Sequence, residues 1–378
     1  MRLSAAAVLL LASCTSPPPA VATPSPTREP GVLEVTALLE LSGPRAAVGA
    51  RQRASLEQWV ADRASGALSV RLRVADVGEG PARAILELKR ADQDDGADAV
   101  IVGAQVAYDD VLGRALETAA LPVLFAQPIA VDPAALAGGR WAFALAPTLD
   151  ELAGLQVADA IRRDVLAPAL LLTAERDRLE PLASALAAEL RERGRDPLTS
   201  VALEGSVPPV VRSSLSVVRS LHCATPLAAC AAVAREAHAL GSRALVYLPY
   251  GSRASEVSSE GDLAERALWP AARVALGGAD VHAAAARDAL SLIAAAAGVA
   301  GPDDRAALRD ALEGITMPLI ATTYTFSPRR HAGFAPSDLA YVRWSGGGLR
   351  SAPSFGNWLP TPTPSPRASP TPAPSPTP

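Results

Sequence analysis

The residues best placed to do chemistry lie in "LELSGPRAAVGA", residues 39–50, where an apolar run ending at Leu41 breaks into Ser-Gly-Pro and a helical pattern follows at once. Ser42 offers a hydroxyl that donates and accepts, and Gly43 lets a backbone come close to a ligand. Such a loop can cradle a phosphate, present a nucleophile or grip another ligand. A phosphate cradle needs GxxxxGK[ST], but Gly43 and Gly49 stand one residue too far apart, no lysine follows, and GxGxxG is also missing. A serine nucleophile needs a base, yet no histidine lies near Ser42 in sequence and no GxSxG occurs. The 4 histidines are scattered, and no Cys/His pairing has zinc-finger spacing. Lys89 is the sole lysine, which weighs against Schiff-base chemistry. A ligand contact without bond breaking remains, against the plainer reading of a turn into a helix. The chain is read as no enzyme, with no cofactor and no metal.

Periodicity shows what positions this loop. "GVLEVTALLEL" reads as a strand, and Ala46 to Ala64 as a helix with apolar Val48, Leu56, Trp59 and Val60. A strand from about Leu68 to Val77 follows, then a helix with Pro81 in its first turn, a buried strand over Ala97 to Val102, and a further helix. "LPVLFAQP" is the next strand, and the alternation continues through a helix from about Leu149, "APALLLTAE", "TSVALEG", "LAACAAVAREAHALG" and "SRALVYLPYG". A long helix over Val281 to Ala297 and a shorter one end the run. Such alternation implies an α/β fold with parallel sheets, since parallel neighbours need a crossover. Ligands of these sheets bind beyond the carboxyl ends of the strands. That points to the loops after Leu41, Val102, Phe125, Thr173 and Leu248.

Four stretches, taken in order, resemble the type I periplasmic binding proteins of the leucine/branched-chain amino-acid branch. They are "TALLELSGPRAAVGARQRASLEQWVADRASG", "VRLRVADVGEGPARAILELKRADQDDGADAVIVG", "LPVLFAQP" and "YTFSPRRHAGFAPSDLAYVRWSGGGL". The resemblance implies two Rossmann-like lobes with parallel sheets, joined by three crossing segments, with ligand in the cleft between them. By that implication one lobe is 32–147 plus 279–318, and the other 148–278 plus 319–350. The implied partners are a small-molecule ligand and an ABC permease.

The family's contacts carry over position by position. Ser42 and Gly43 match the loop after the first strand. The second loop, "GAQVAYDD", offers Gln105 and Tyr108, but Val106 and Ala107 stand where the family has serines that hold a ligand carboxylate. The third loop, "FAQPIA", keeps only Gln127 as a polar side chain. In the second lobe Glu175 in "TAERDRLEP", then Tyr250 and Ser252 after "ALVYLPYG", fall at contact positions, and Glu256 loosely matches the acidic contact to an amino group. Tyr247 reads as core, and His331 as structural. Without the hydroxyls a buried carboxylate lacks its usual partners, so an ordinary α-amino acid fits this site poorly.

The ends speak of location. "MRLSAAAVLLLASC" has a basic residue and an apolar core of about ten residues, too short to span a bilayer. Residues 1–13 read as a signal peptide, and Leu11-Ala12-Ser13-Cys14 resembles a bacterial lipobox, with lipid carried on Cys14 of an extracytoplasmic protein; the alternative is an ordinary secretory signal. Residues 14–31 form a Pro-rich linker whose reach is about 50 Å in extended geometry. Residues 351–378 are a Pro/Thr/Ser-rich tail read as disordered. Cys223 and Cys230 would suit an oxidising compartment as a disulfide, or lie buried as two free thiols. A net charge of −4 gives no electrostatic case for nucleic acid. The expected function is an extracytoplasmic solute-binding lipoprotein of an ABC importer, anchored to the membrane and closing by a hinge. The alternative is a bilobed sensor or cell-envelope scaffold.

Overall fold

The computed structural model describes residues 31–352 apart from 65, 67, 79–80, 132–135, 137, 174–179 and 202–208. The signal peptide, Cys14, most of the linker, the tail beyond Ala352 and Glu175 lie outside the described residues.

The chain begins with β1 (Val32–Leu39), α1 (Ala46–Asp62), β2 (Ser69–Asp76), α2 (Pro81–Gln93), β3 (Ala99–Val102), α3 (Asp110–Ala119), β4 (Val123–Phe125) and β5 (Ala142–Ala144). These strands make one parallel sheet in the order β2-β1-β3-β4-β5. Central β1 is buried along nearly its whole length, as a strand covered on both faces must be, while edge strand β2 alternates. Helix α1 turns Gly49, Gln52, Leu56 and Trp59 inward, a stripe at helical spacing that leaves Val48 and Val60 only partly covered.

Helix α4 (Leu149–Arg162) opens the second half behind a capping box made by Thr148 and Glu151. Then come β6 (Ala169–Thr173), α5 (Glu180–Glu192), β7 (Leu198–Val201), α6 (Pro209–Arg212), β8 (Ser220–Ala224), α7 (Leu227–Ala239), β9 (Leu245–Tyr247), α8 (Ala254–Ser258), α9 (Asp262–Arg266) and β10 (Ala267–Ala272). Helices α10 (Val281–Ala300) and α11 (Arg305–Glu313), the pair β11 (Thr316–Pro318) and β12 (Thr323–Thr325), and the hairpin β13 (Leu339–Ser345) and β14 (Gly348–Ser351) complete the chain. The second sheet runs β14-β13-β10-β9-β8-β6-β7. From β7 to β10 it is parallel, and β13 and β14 add an antiparallel edge. The hairpin turns at Gly346-Gly347 with φ +59° and +79°, the two positive angles that a type I′ turn requires. Cys223, in β8, is disulfide-bonded to Cys230 in α7.

The architecture is thus α/β, two Rossmann-like lobes with parallel sheets joined by three crossings, at residues 145–148, 273–280 and 314–338. The last crossing also touches the first sheet: Ala144 N–H donates to the His331 carbonyl at 2.8 Å, and Gly333 N–H to the Ala144 carbonyl at 2.9 Å. Helix α10 is 20 residues long and apolar enough, by length and composition, to cross a membrane. It instead packs on α1, where Trp59 Nε1 donates to Ser291 Oγ at 2.8 Å. Its Asp288, wholly buried, accepts the N–H groups of Ile320 and Ala321 at 3.0 and 2.8 Å and so fastens the third crossing.

Candidate functional site

The loop after β1 is shaped by close packing. A Cβ on Gly49 would stand 2.0 Å from the Glu40 carbonyl oxygen, so only glycine lets the first turn of α1 lie against this loop. Gly43 takes φ +79°. Ser42 Oγ donates to Asp76 Oδ2 at 2.7 Å, and Asp76 Oδ1 accepts the N–H groups of Leu41 and Gly78 at 2.9 and 2.8 Å. Burial alone would raise the Asp76 carboxyl, but the Ser42 hydroxyl and these N–H groups outweigh it and hold it below the usual carboxylate value. The Ser42 hydroxyl therefore ties β1 to β2.

The side chain that joins the loops is Arg45. Its Nε donates to Glu40 Oε2 at 3.1 Å, its Nη1 to Gln105 Oε1 at 3.2 Å and its Nη2 to Gln127 Oε1 at 3.4 Å. One guanidinium thus spans the carboxyl ends of β1, β3 and β4. Arg45 is also the N-cap residue of α1 and makes no side-chain cap bond. A cation at a helix amino terminus forgoes a cap and opposes the helix dipole. That local misfit is the sequence signal that marks Arg45, which the motif-based reading passed over between Pro44 and Ala46.

An arginine only donates, so it forces both glutamines to turn their oxygens toward it. The amide Nε2 of Gln127 then lies buried with no partner, in a residue 1% exposed. An orphaned buried donor costs about 1–3 kcal/mol.

From the other side comes the loop after β9, which meets the start of α10. Gly251 has φ +73°, and a Cβ there would meet His282 Nε2 at 2.4 Å, so glycine lets the β9 loop press on the start of α10. The Tyr250 ring stands edge-on to the His282 ring, 5.9 Å between centroids. Burial raises the Tyr250 phenol, and a hydrogen bond with the Ala272 backbone works against it. Burial pushes His282 down to about 3; the charges of Arg45 and Arg51 act the same way, and Asp280 opposes them. His282 is therefore neutral, and its Nδ1 is buried without a partner. Beside it Arg51 Nε donates to Asp280 Oδ2 at 2.6 Å, while Arg51 and Arg253 each lie 3.7 Å from Glu256. Ser252 Oγ donates to the Pro249 carbonyl at 2.9 Å and lines a cavity of about 230 Å³ with Arg253, Ser255 and Asp280.

Of the residues picked from sequence, the structure brings Gln105 and Gln127 together through Arg45, and places Tyr250 against His282. Ser42 spends its hydroxyl on Asp76 at the end of β2, and Ser252 spends its own on the Pro249 carbonyl within its loop. Tyr108 packs edge-on to Phe125 at 6.2 Å and beside Gly113 of α3. Glu40, Arg45 and His282 are the residues that sequence reasoning missed. Tyr247 is core, donating to Asp159 Oδ2 at 2.8 Å. His331 is buried, with Nδ1 3.0 Å from the Ala142 carbonyl and its ring stacked on Phe143 at 4.4 Å. Among the described residues no group of three or more His, Cys, Asp or Glu is placed to hold a metal ion.

No protein-family model matches the chain, and no curated protein matches it. Solved structures do. An extracellular ligand-binding receptor from Rhodopseudomonas palustris HaA2 superposes with a TM-score of 0.68 at 17% identity, covering 85% of this chain and 99% of that one. The leucine-binding protein LivK from Thermotoga maritima gives 0.67 at 15% identity, covering 85% and 97%. The branched-chain amino-acid transporter substrate-binding protein LivJ from Streptococcus pneumoniae, solved in complex with isoleucine, gives 0.68 at 14% identity, covering 85% and 99%. The fold is that of the type I periplasmic binding proteins.

Proposed function

We propose that the chain is an extracytoplasmic solute-binding protein that takes a small polar or amino-acid-like ligand between its lobes and delivers it to an ABC permease. The observation that carries this reading is the convergence of Arg45, Gln105 and Gln127 at the carboxyl ends of β1, β3 and β4, with Tyr250, beyond the end of β9, packed on His282. In sheets of this kind ligands sit at that end. Binding contacts made by both lobes at once favour a closed arrangement, so ligand shifts the lobe equilibrium without breaking a bond. The reading assigns 32–147 plus 279–318 to one lobe and 148–278 plus 319–350 to the other. Anchoring through lipid on Cys14, with residues 14–31 as a tether, keeps the protein beside its permease. The leucine-binding protein and the isoleucine complex among the similar structures support a solute of that size.

The test is a thermal-shift screen of the full chain in mild detergent against amino acids, amides, carboxylates and small aromatics, followed by small-angle scattering with each hit. A ligand present at a hundred times its Kd adds about 2.7 kcal/mol to folded-state stability, which the midpoint reports. The reading predicts such a hit together with a smaller radius of gyration. A stabilising solute that leaves the scattering unchanged would contradict the hinge, and silence across the whole set would contradict solute binding.

A further inference from the structure

We infer that the ligand is a small organic carboxylate with no α-ammonium group, and that the Arg45 guanidinium receives its carboxylate. This rests on the solute-binding reading and names the solute class. Among the described residues, Arg45 uses three of its five N–H groups, one each on Glu40, Gln105 and Gln127. Its side chain is 19% exposed, so two donors remain to meet a ligand. The bonds to the glutamines are long, at 3.2 and 3.4 Å, and yield readily to a charged acceptor.

Gln127 supplies an independent sign. Because its oxygen faces Arg45, its Nε2 is a donor buried without an acceptor. A ligand oxygen would satisfy it. Arginine and glutamine N–H groups thus replace the hydroxyls missing at Val106 and Ala107, and both are donors. A floor made of donors selects an acceptor-rich group.

The ammonium of an amino acid finds no matching reception. The nearby described carboxylates are already held by arginines: Glu40 by Arg45 at 3.1 Å, Asp280 by Arg51 at 2.6 Å, and Glu256 by Arg51 and Arg253 at 3.7 Å. His282, the neighbouring imidazole, lies in the field of Arg45 and Arg51. An ammonium brought among these groups loses its water and meets two guanidiniums.

The experiment is isothermal titration of the full chain in mild detergent with matched probes. Propanoate, 4-methylpentanoate, 3-phenylpropanoate and glutarate are each compared with the α-amino acid of the same skeleton, alanine, leucine, phenylalanine and glutamate. The amides of the first three acids serve as uncharged counterparts. The proposal predicts that at least one carboxylate binds at least tenfold tighter than its amino acid and its amide. It further predicts that Arg45→Gln weakens that carboxylate roughly 10–100-fold, the size of a lost charge-assisted hydrogen bond. Gln127→Met, which leaves the Arg45–Glu40 pair in place, should weaken it roughly tenfold with its thermal midpoint kept, so that a folding defect in the first variant does not shield the idea. Tighter binding of the amino acid or the amide overturns the ligand class and leaves solute binding standing, as does full carboxylate affinity in both variants. Binding of none of the probes overturns both.

Discussion

The two lobes each carry a buried polar cluster, and they differ in how completely it is closed. In the second lobe Asp159 is 0% exposed and accepts from Tyr247 Oη at 2.8 Å and from Arg163 Nε at 2.9 Å. The Tyr247 ring stacks on His222 at 5.0 Å. His222 Nδ1 takes Gln156 Nε2 at 2.9 Å, and His222 Nε2 meets Ser220 Oγ at 3.1 Å. Both ring nitrogens are used, so α4 is fastened to the sheet by a closed network. In the first lobe the count does not close: Gln127 Nε2, His282 Nδ1 and both amide atoms of Gln52 lie buried without partners. A satisfied network rigidifies, and an unsatisfied one keeps capacity for something else. Completeness of pairing, more than polarity itself, distinguishes these two clusters, although buried atoms without a partner also occur elsewhere, at Thr36 Oγ1, Thr225 Oγ1 and Trp269 Nε1.

Acid should act on both clusters alike, because burial and not pairing sets the histidines. Burial pushes His222 down to about 3, and burial with two arginine charges brings His282 to about 3. Each binds a proton near 6.5 when unfolded. A depressed folded value means that stability is full above pH 6.5 and is lost as pH falls toward 3, at about 1.4 kcal/mol per unit for each residue. Between pH 6.5 and 4.5 the pair should cost about 5 kcal/mol of unfolding free energy. Denaturant melts of His222→Gln and His282→Gln across that range should each show about half the histidine share removed. A wild-type slope kept by both variants would mean that other groups carry it.

The contrast reappears in truncations. Asp159→Ala strands a buried phenol and a guanidinium, so the chain should lose about 3–5 kcal/mol of stability. Solute affinity should stay within about twofold, since Asp159 belongs to the closed network; a large fall in affinity would erase the distinction. Removing the disulfide by Cys223→Ser with Cys230→Ser should cost about 2–3 kcal/mol by loop entropy, read as a lower midpoint under non-reducing conditions only. The smallest effect separates the clusters most sharply. Gln156→Met deprives His222 of its partner and should destabilise by about 1–3 kcal/mol. Gln127→Met removes an orphan donor and should be neutral or stabilise by up to about 1 kcal/mol while weakening the solute. Equal losses in the two variants would show that pairing is a poor guide here.

Most of the fold was legible because β–α alternation with buried runs such as "AVIV" and "ALLL" leaves few alternatives. Strand β10, "ALWPAA", was not. Pro270 interrupts it, and proline argues against a central strand. The sheet tolerates it because β9 pairs only with Ala267 and Leu268, so Pro270 lies beyond that ladder, where its carbonyl accepts the Gly251 N–H at 3.1 Å. The site was legible as a set of loops but not as a set of side chains. Gln105 and Gln127 stand out in sequence because their loops follow strands. Arg45 was missed because family motifs place hydroxyls and backbone there, and what makes it central is reach: it contacts residues 60 and 82 positions away. Tyr108 sits in the same loop as Gln105, and its packing on Phe125 and beside Gly113 of α3 is not visible from that position in sequence.

Hydrogen exchange of the full chain with and without each of the four carboxylates, propanoate, 4-methylpentanoate, 3-phenylpropanoate and glutarate, tests the central claim most directly, because it reads both clusters in one experiment. Slowed exchange should appear at residues 40–46, 104–107, 126–128 and 250–252, with the 156–163, 220–224 and 245–247 segments unchanged. Slowing confined to the second-lobe network, or no slowing in either region with any of the four at millimolar concentration, would contradict it.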